Sequence, residues 1–335
     1  MTEPNSLPPL LPKDYESDQD IRWCPGCGDA AILKQVQNVL PSFGIPKEKT
    51  VFISGIGCSS RFPYYMNTYG MHSIHGRATA VATGLKLVRP DLNVWIITGD
   101  GDALSIGGNH LIHILRRDID VNILLFNNQI YGLTKGQYSP TSEQHKITKS
   151  SPFGTVDKPF NPISLALGAG AGFIARTIDR EAKHLQEMLK LAEAHNGTSF
   201  VEIYQNCHIF NDNAFEAFTQ RSTRKKATIF VEDGKPLVFG EQQEFGIRLD
   251  GHQPKIVELN GDISVNDLWI HDQSDQIKAN ILSLFFDNES FPRPFGVLYQ
   301  RHNEKPKYQS ETIFKDVDKA NFERLLRGKE NWKVE

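Results

Sequence analysis

The chain has 335 residues and a formal net charge of -3 at neutral pH. That length suits one large α/β domain with additions, or two domains; its charge gives no electrostatic reason to bind nucleic acid or an anionic membrane. Only four cysteines occur, which excludes a disulfide scaffold.

Residues 1–20 read as an extended arm with early prolines, without the basic stretch and apolar core of a secretory signal. No apolar run reaches the roughly 18 residues that span a bilayer. The nearest, ISLALGAGAGFIA at 163–175, is short and glycine-rich. A cytoplasmic setting is expected, and its reducing surroundings turn any cysteine grouping toward metal or redox chemistry.

Helical spacing begins at 29–40, with Asp29 as the expected N-cap. TVFISG (50–55) reads as a buried strand, and 76–88 as a helix stopped by Pro90. A strand at 93–100 runs into glycine and aspartate. The helix 106–117 follows, with Arg116 and Arg117 suited to its carboxyl end, and then the strand 121–128. The alternation resumes with a helix in PISLALGAG, a strand in FIART, a helix at 180–195 and a strand at 199–204. Five apolar runs separated by helices predict an α/β fold: an open, mostly parallel sheet with helices on both faces. Residues 21–210 form the expected α/β domain. Residues 211–335, richer in charge and in Asn, Gln and Pro, are expected to be a C-terminal extension packed on the body and a partner.

The strand ending at Thr98 delivers GDGD (99–102) at its carboxyl end, where open α/β sheets place ligands. The next strand ends at Asn127-Asn128. Each motif alone is an ordinary turn; together, at the ends of successive strands, they bring Asp100 and Asn128 within reach of one oxygen-coordinated cation. The Ile130 carbonyl is a third candidate ligand, and Gly132 leaves room for a phosphate on backbone amides. The pattern resembles the diphosphate-binding motif of thiamine diphosphate enzymes. The resemblance implies Mg²⁺ on Asp100, Asn128 and the Ile130 carbonyl, with Gly101, Asp102, Gly132 and Leu133 lining the diphosphate.

Cys24 and Cys27 form a CxxC pair, whereas Cys58 and Cys207 each stand alone just past a predicted strand. Spacing leaves a redox dithiol, a four-thiolate zinc site, an iron-sulfur cluster and buried thiols all open. The set WCPGCGD, GIGCSSR, IHGRA and GDGDALSIGGNHLIHILRRDIDVNILLFNNQIYGLTKGQYSPTS resembles the beta subunit of 2-oxoacid:ferredoxin oxidoreductases, densely over about residues 15–210. That resemblance implies one [4Fe-4S] cluster on Cys24, Cys27, Cys58 and Cys207, and thiamine contacts from Ile56, Gly57, Cys58, Ser59 and His75. His72, His110 and His113 have no motif behind them and are expected to be structural.

The resemblance further implies CoA-dependent oxidative decarboxylation of a 2-oxoacid, with electrons leaving through the cluster to ferredoxin. Pattern and length favour 2-oxoglutarate over pyruvate. Arg61 and Lys135 are candidate partners for a second substrate carboxylate. No catalytic residue is assigned, because the carboxylate that activates thiamine is expected from an alpha subunit, in a dimer of alpha-beta heterodimers. Two rival readings remain at this point: a cluster-free thiamine-dependent decarboxylase with structural zinc, and a non-catalytic electron-transfer subunit.

Overall fold

The computed structural model describes residues 10–260, 263–301, 323–324 and 326–328. The first nine residues of the predicted arm and most of the basic C-terminal segment lie outside that range. The chain alternates helix and strand as its periodicity requires: α1 (Gly28–Val39), β1 (Thr50–Ser54), β2 (Tyr69–His72), α2 (Ala78–Val88), β3 (Asn93–Gly99), α3 (Gly108–Arg117), β4 (Val121–Asn127), α4 (Pro162–Gly168), β5 (Phe173–Ile178), α5 (Ala182–Ala194) and β6 (Thr198–Tyr204). Each of the five predicted strands is present.

After β6 come two single-turn helices, α6 (Glu216–Thr219) and α7 (Arg224–Ala227). They lead to β7 (Thr228–Val231), β8 (Val238–Phe239), β9 (Phe245–Asp250), β10 (Gln253–Glu258), α8 (Gln276–Ser283) and β11 (Arg293–Gln300). The main sheet runs β2-β1-β3-β4-β6-β5-β11-β7, and β10-β9-β8 form a small second sheet. All pairings among β1–β6 are parallel; β11 lies antiparallel to β5 and parallel to β7. The segment after residue 210 thus supplies two strands to the main sheet. Weak, irregular apolar runs concealed them in the sequence.

Strands of a parallel sheet are apolar on both faces because helices cover both. One face carries Ile53, Ile96, Ile123 and Phe200 beneath α2, α3, α4 and α8; the other carries Phe52, Trp95, Leu124 and Val201 beneath α1 and α5. The order reverses direction between β1 and β3, which makes their carboxyl ends the expected ligand crevice.

Two boundaries differ from the sequence reading. The N-cap of α1 is Cys27, in extended conformation, and Asp29 lies inside the first turn with its carboxylate buried. Gly28 permits this close approach: a Cβ there would stand 2.0 Å from the Asp179 carboxylate. The helix after β3 starts at Gly108 rather than at 106, because Asp102–Ile106 form a single widened π-helical turn. Such turns recur at functional sites.

Candidate functional site

Four neighbouring strands end at one edge, and each delivers predicted site residues there: β1 leads into Ile56–Ser59, β3 into Asp100–Asp102, β4 into Asn128–Leu133 and β6 into Cys207. Parallel register does this directly, since Gly99 pairs with Phe126 and Asn127 with Tyr204.

The four cysteines converge. Cys24, Cys27, Cys58 and Cys207 line one cavity of about 230 Å³, together with Asp29, Asn128, Gly132, Leu133 and Gln205. The Trp23 indole donates to the Cys58 carbonyl (2.7 Å), pinning the CxxC turn over the end of β1. The backbone N–H of Cys27 donates to the Cys24 carbonyl (3.0 Å), and Gly26 has φ of 81°, which favours glycine. The Gln205 amide reaches the Cys27 sulfur at 3.4 Å. A Cβ built on Gly132 would stand 3.5 Å from both the Cys58 and Cys207 sulfurs. The turn expected to line a diphosphate therefore also runs against two of the sulfurs.

Burial, and then the neighbouring Asp29, raise the thiols of Cys27 and Cys58, Cys58 to about 12. Burial likewise pushes up Cys207. Thiols in this setting stay protonated at neutral pH unless a metal claims them. Asp29 itself is raised to about 7 by burial, and its carboxylate oxygens have no hydrogen-bond partner that meets good geometry. Among the described residues no three His, Cys, Asp or Glu side chains lie close enough to hold a single metal ion. A tetrahedral zinc draws its four sulfurs tightly around one centre at about 2.3 Å each, whereas a four-iron cluster carries a separate iron for each thiolate. Four thiols around one cavity are a donor set whose chemistry suits a thiophilic metal centre, zinc or iron-sulfur.

Asp100 is buried, and the Ser139 and Thr141 hydroxyls each donate to its Oδ2 at 2.5 Å. No side-chain donor among the described residues reaches its Oδ1. Burial raises its pKa despite those hydroxyls. Asn128 stands at the wall of the cysteine cavity, its Oδ1 accepting from the Ile130 N–H (3.1 Å). Gln129 between them adopts φ of 56° to turn the chain. Gly101 faces the Tyr131 ring, whose carbons a Cβ would meet at 2.2 Å. The Tyr131 hydroxyl donates to the Gly101 carbonyl (3.1 Å), so the two strand ends are locked together. An oxygen-rich set at this position suits a hard cation.

Asp102 is a buried anchor beneath this edge. Its Oδ1 accepts from the Ile56 N–H (3.1 Å) and the Gly76 N–H (2.7 Å), and its Oδ2 from Thr98 Oγ1 (2.7 Å). His75 Nδ1 also lies 2.6 Å from Oδ1, off the line of a good hydrogen bond, with the ring partly exposed. One carboxylate thus ties the loop after β1 to the start of α2. Asp102→Ala orphans two backbone N–H groups, at about 1–3 kcal/mol each, whereas Asp102→Asn keeps an acceptor oxygen. Chemical denaturation is expected to show the larger loss for alanine; equal losses would mean these bonds carry no stability.

Arg61 and Lys135 border the cysteine cavity, on the sulfur side of the edge. Three groups of residues escaped the sequence reading: the Ser139 and Thr141 hydroxyls, Gln205 beside Cys27, and a buried Arg176–Glu202 pair at 2.7 Å. The last had a visible signal, a charge inside each of the apolar runs FIART and SFVEIY.

Residues 55–203 match the family model described as "Thiamine pyrophosphate enzyme, C-terminal TPP binding domain". The chain is 48% identical to the 2-oxoglutarate oxidoreductase subunit KorB of Mycobacterium tuberculosis, over 99% of this chain and 91% of that one. It is 45% identical to the beta subunit of 2-oxoacid:ferredoxin oxidoreductase 1 of Aeropyrum pernix, over 59% of this chain and 62% of that one. The match to the Aeropyrum subunit therefore spans less than two thirds of its length. A solved chain of the 2-oxoglutarate:ferredoxin oxidoreductase from Magnetococcus marinus, with 2-oxoglutarate, coenzyme A and succinyl-CoA bound, superposes with a TM-score of 0.75 at 32% identity. That superposition covers 96% of this chain and 97% of that one. The fold is that of thiamine diphosphate-binding enzymes. The chain belongs to the 2-oxoacid:ferredoxin oxidoreductase beta subunit family.

Proposed function

We propose that this chain is the beta subunit of a CoA-acylating 2-oxoacid:ferredoxin oxidoreductase that converts 2-oxoglutarate to succinyl-CoA. The observation that carries this reading is the meeting of four cysteines and the end of β4 around one cavity. Mg²⁺ would sit on Asp100, Asn128 and the Ile130 carbonyl, beside a diphosphate lined by Gly101, Asp102, Gly132 and Leu133. Ile56–Ser59 and His75 would contact the thiamine. When bound, thiamine diphosphate supplies the carbanion chemistry that releases CO₂, and a [4Fe-4S] cluster on Cys24, Cys27, Cys58 and Cys207 supplies single-electron steps.

The chain's own residues hold and orient. The Asp102 carboxylate fixes the Ile56 amide and the start of α2, Tyr131 locks Gly101, and Trp23 closes the CxxC turn over Cys58. The activating carboxylate is expected from an alpha subunit, as the resemblance to the beta subunits of this family implies. The assembly would be a dimer of alpha-beta heterodimers that passes electrons to ferredoxin. No helix among the described residues is long and apolar enough to cross a membrane, and a cytoplasmic setting would keep the thiols reduced for metal.

The name of the mycobacterial relative supports 2-oxoglutarate over pyruvate. The test is co-purification with the alpha subunit, then CoA-dependent ferredoxin reduction with the two acids in parallel. Faster reduction with 2-oxoglutarate is expected, and faster reduction with pyruvate would reassign the substrate. A complex loaded with iron and thiamine diphosphate that reduces ferredoxin with neither acid would overturn the reading.

A further inference from the structure

On the sheet face covered by α2, α3 and α4, the strands are apolar through Ile96, Ile123, Leu125 and Phe200. Toward the carboxyl edge the same face turns polar, and its polar groups form one buried chain. Thr141 Oγ1 lies 2.5 Å from Asp100 Oδ2 and 2.9 Å from Asn127 Oδ1. The Asn127 amide donates to Glu202 Oε1 (2.8 Å), and Arg176 Nε donates to Glu202 Oε2 (2.7 Å). Arg176 reaches on to the Pro294 carbonyl of β11 (3.2 Å). Arg176, Glu202, Asn127 and Thr141 are all fully buried. Register explains the alignment, because Arg176 pairs with Glu202 on neighbouring strands.

Stability alone does not account for this chain. Apolar residues of similar volume commonly replace a buried ion pair at no loss of stability. What the pair does accomplish is orientation. With Glu202 fixing the amide of Asn127, its carbonyl oxygen must face Thr141 and the Gln129 N–H (3.3 Å). That fixes the turn carrying Asn128 and Ile130. Thr141 has one hydroxyl proton for two acceptors. With Ser139, it occupies Oδ2 of Asp100 and leaves Oδ1 as the carboxylate oxygen without a side-chain donor among the described residues.

We propose that Thr141 and Ser139, backed by Asn127, Glu202 and Arg176, are positioning residues for the Mg²⁺ ligands Asp100 and Asn128. This rests on the reading of that edge as a Mg²⁺–thiamine diphosphate anchor. The hydroxyls aim the Asp100 carboxylate, and the Asn127–Glu202–Arg176 chain sets the turn after β4 against it. Outer-shell partners of metal ligands are worth roughly 10–100-fold in metal affinity.

The test measures the Mg²⁺ concentration that gives half-maximal retention of thiamine diphosphate by the full chain, purified with its partner subunit. Thr141→Val keeps the shape and removes the hydroxyl. It is expected to raise that concentration by roughly 10–100-fold, with a melting transition close to that of the unaltered protein. Thr141→Ser should restore the original requirement, which a merely structural role in packing the threonine methyl would not do. If Thr141→Val does not fold, Ser139→Ala is read in the same way. An unchanged Mg²⁺ requirement in folded Thr141→Val overturns the proposal, as does a failure of Thr141→Ser to rescue it. Asp100→Asn separates the two levels. Loss of retention there with an unaffected Thr141→Val would sink only this inference, whereas an unaffected Asp100→Asn would sink the anchor itself.

Discussion

Replacing Asp100 by alanine is expected to abolish Mg²⁺-dependent retention of thiamine diphosphate while leaving the iron content of the complex intact. The effect should exceed the roughly 10–100-fold typical of an outer-shell change, because the substitution removes the only charged ligand proposed for the ion. It also removes the acceptor that Ser139 and Thr141 share, leaving Thr141 with Asn127 Oδ1 and Ser139 with only longer hydroxyl contacts; weakened buried hydrogen bonds of this kind cost about 1 kcal/mol each. Some loss of stability should therefore accompany the loss of cofactor. Circular dichroism on the same samples separates the two effects, and equilibrium dialysis with and without Mg²⁺ gives the affinity.

The same carboxyl sets a pH dependence. Burial raises its pKa above the ordinary value of 3.8, and Mg²⁺ binds only the ionised form, so cation and proton compete. As pH falls through the raised pKa, the Mg²⁺ requirement should climb, beginning at a higher pH than an exposed aspartate would give. The reverse trend, with tighter Mg²⁺ binding on acidification, is incompatible with Asp100 as the ligand. Retention that survives Asp100→Ala unchanged would leave a non-catalytic electron-transfer subunit as the better description of the chain.

Much of this site was legible because its chemistry falls in short local motifs at strand ends. A parallel strand that is apolar on both faces announces itself, and the glycines and aspartates after it mark where the chain leaves the sheet. Asp100, Asn128, Cys58 and Cys207 could therefore be placed on one edge from the sequence, whereas the Cys24–Cys27 pair, which lies before α1, joined them through the family resemblance. What could not be read were relations across the sheet. That Glu202 sits opposite Arg176 depends on strand order and register, and neither follows from a single sequence. β2 is fully exposed along its length and carries no apolar run of the usual kind. β7 and β11 are separated by about sixty residues yet pair directly, so the extension could not be seen to belong to the main sheet.

The cap of α1 shows the opposite limit. Asp29 has the right chemistry for an N-cap, and local propensity favours it there. The tertiary fit of Gly28 against Asp179 and of the Gly28 N–H against the Asn206 carbonyl (3.3 Å) starts the helix earlier. The carboxylate is thereby carried into the wall of the cysteine cavity.

Replacing Cys58 by alanine should give the converse of the Asp100 result: iron and acid-labile sulfide lost, with thiamine diphosphate still retained. Cys58 is the informative choice because it stands between the two proposed sites. Its carbonyl takes the Trp23 indole bond, its sulfur lies by Gly132 beside that of Cys207, and its backbone belongs to the loop proposed to touch the thiamine. Alanine keeps that backbone and removes only the sulfur. If one cluster spans all four thiolates, losing Cys58 should remove about four irons per chain together rather than a fraction of them, and Cys27→Ala should do the same. A native chain purified anaerobically with stoichiometric zinc and no iron would overturn the cluster. It would also return the cysteines to a structural role beside a thiamine site that needs another electron acceptor. Loss of both iron and thiamine diphosphate in Cys58→Ala, with the fold intact, would instead mean that the two sites are one cooperative unit, joined through the Gly132 turn that touches both.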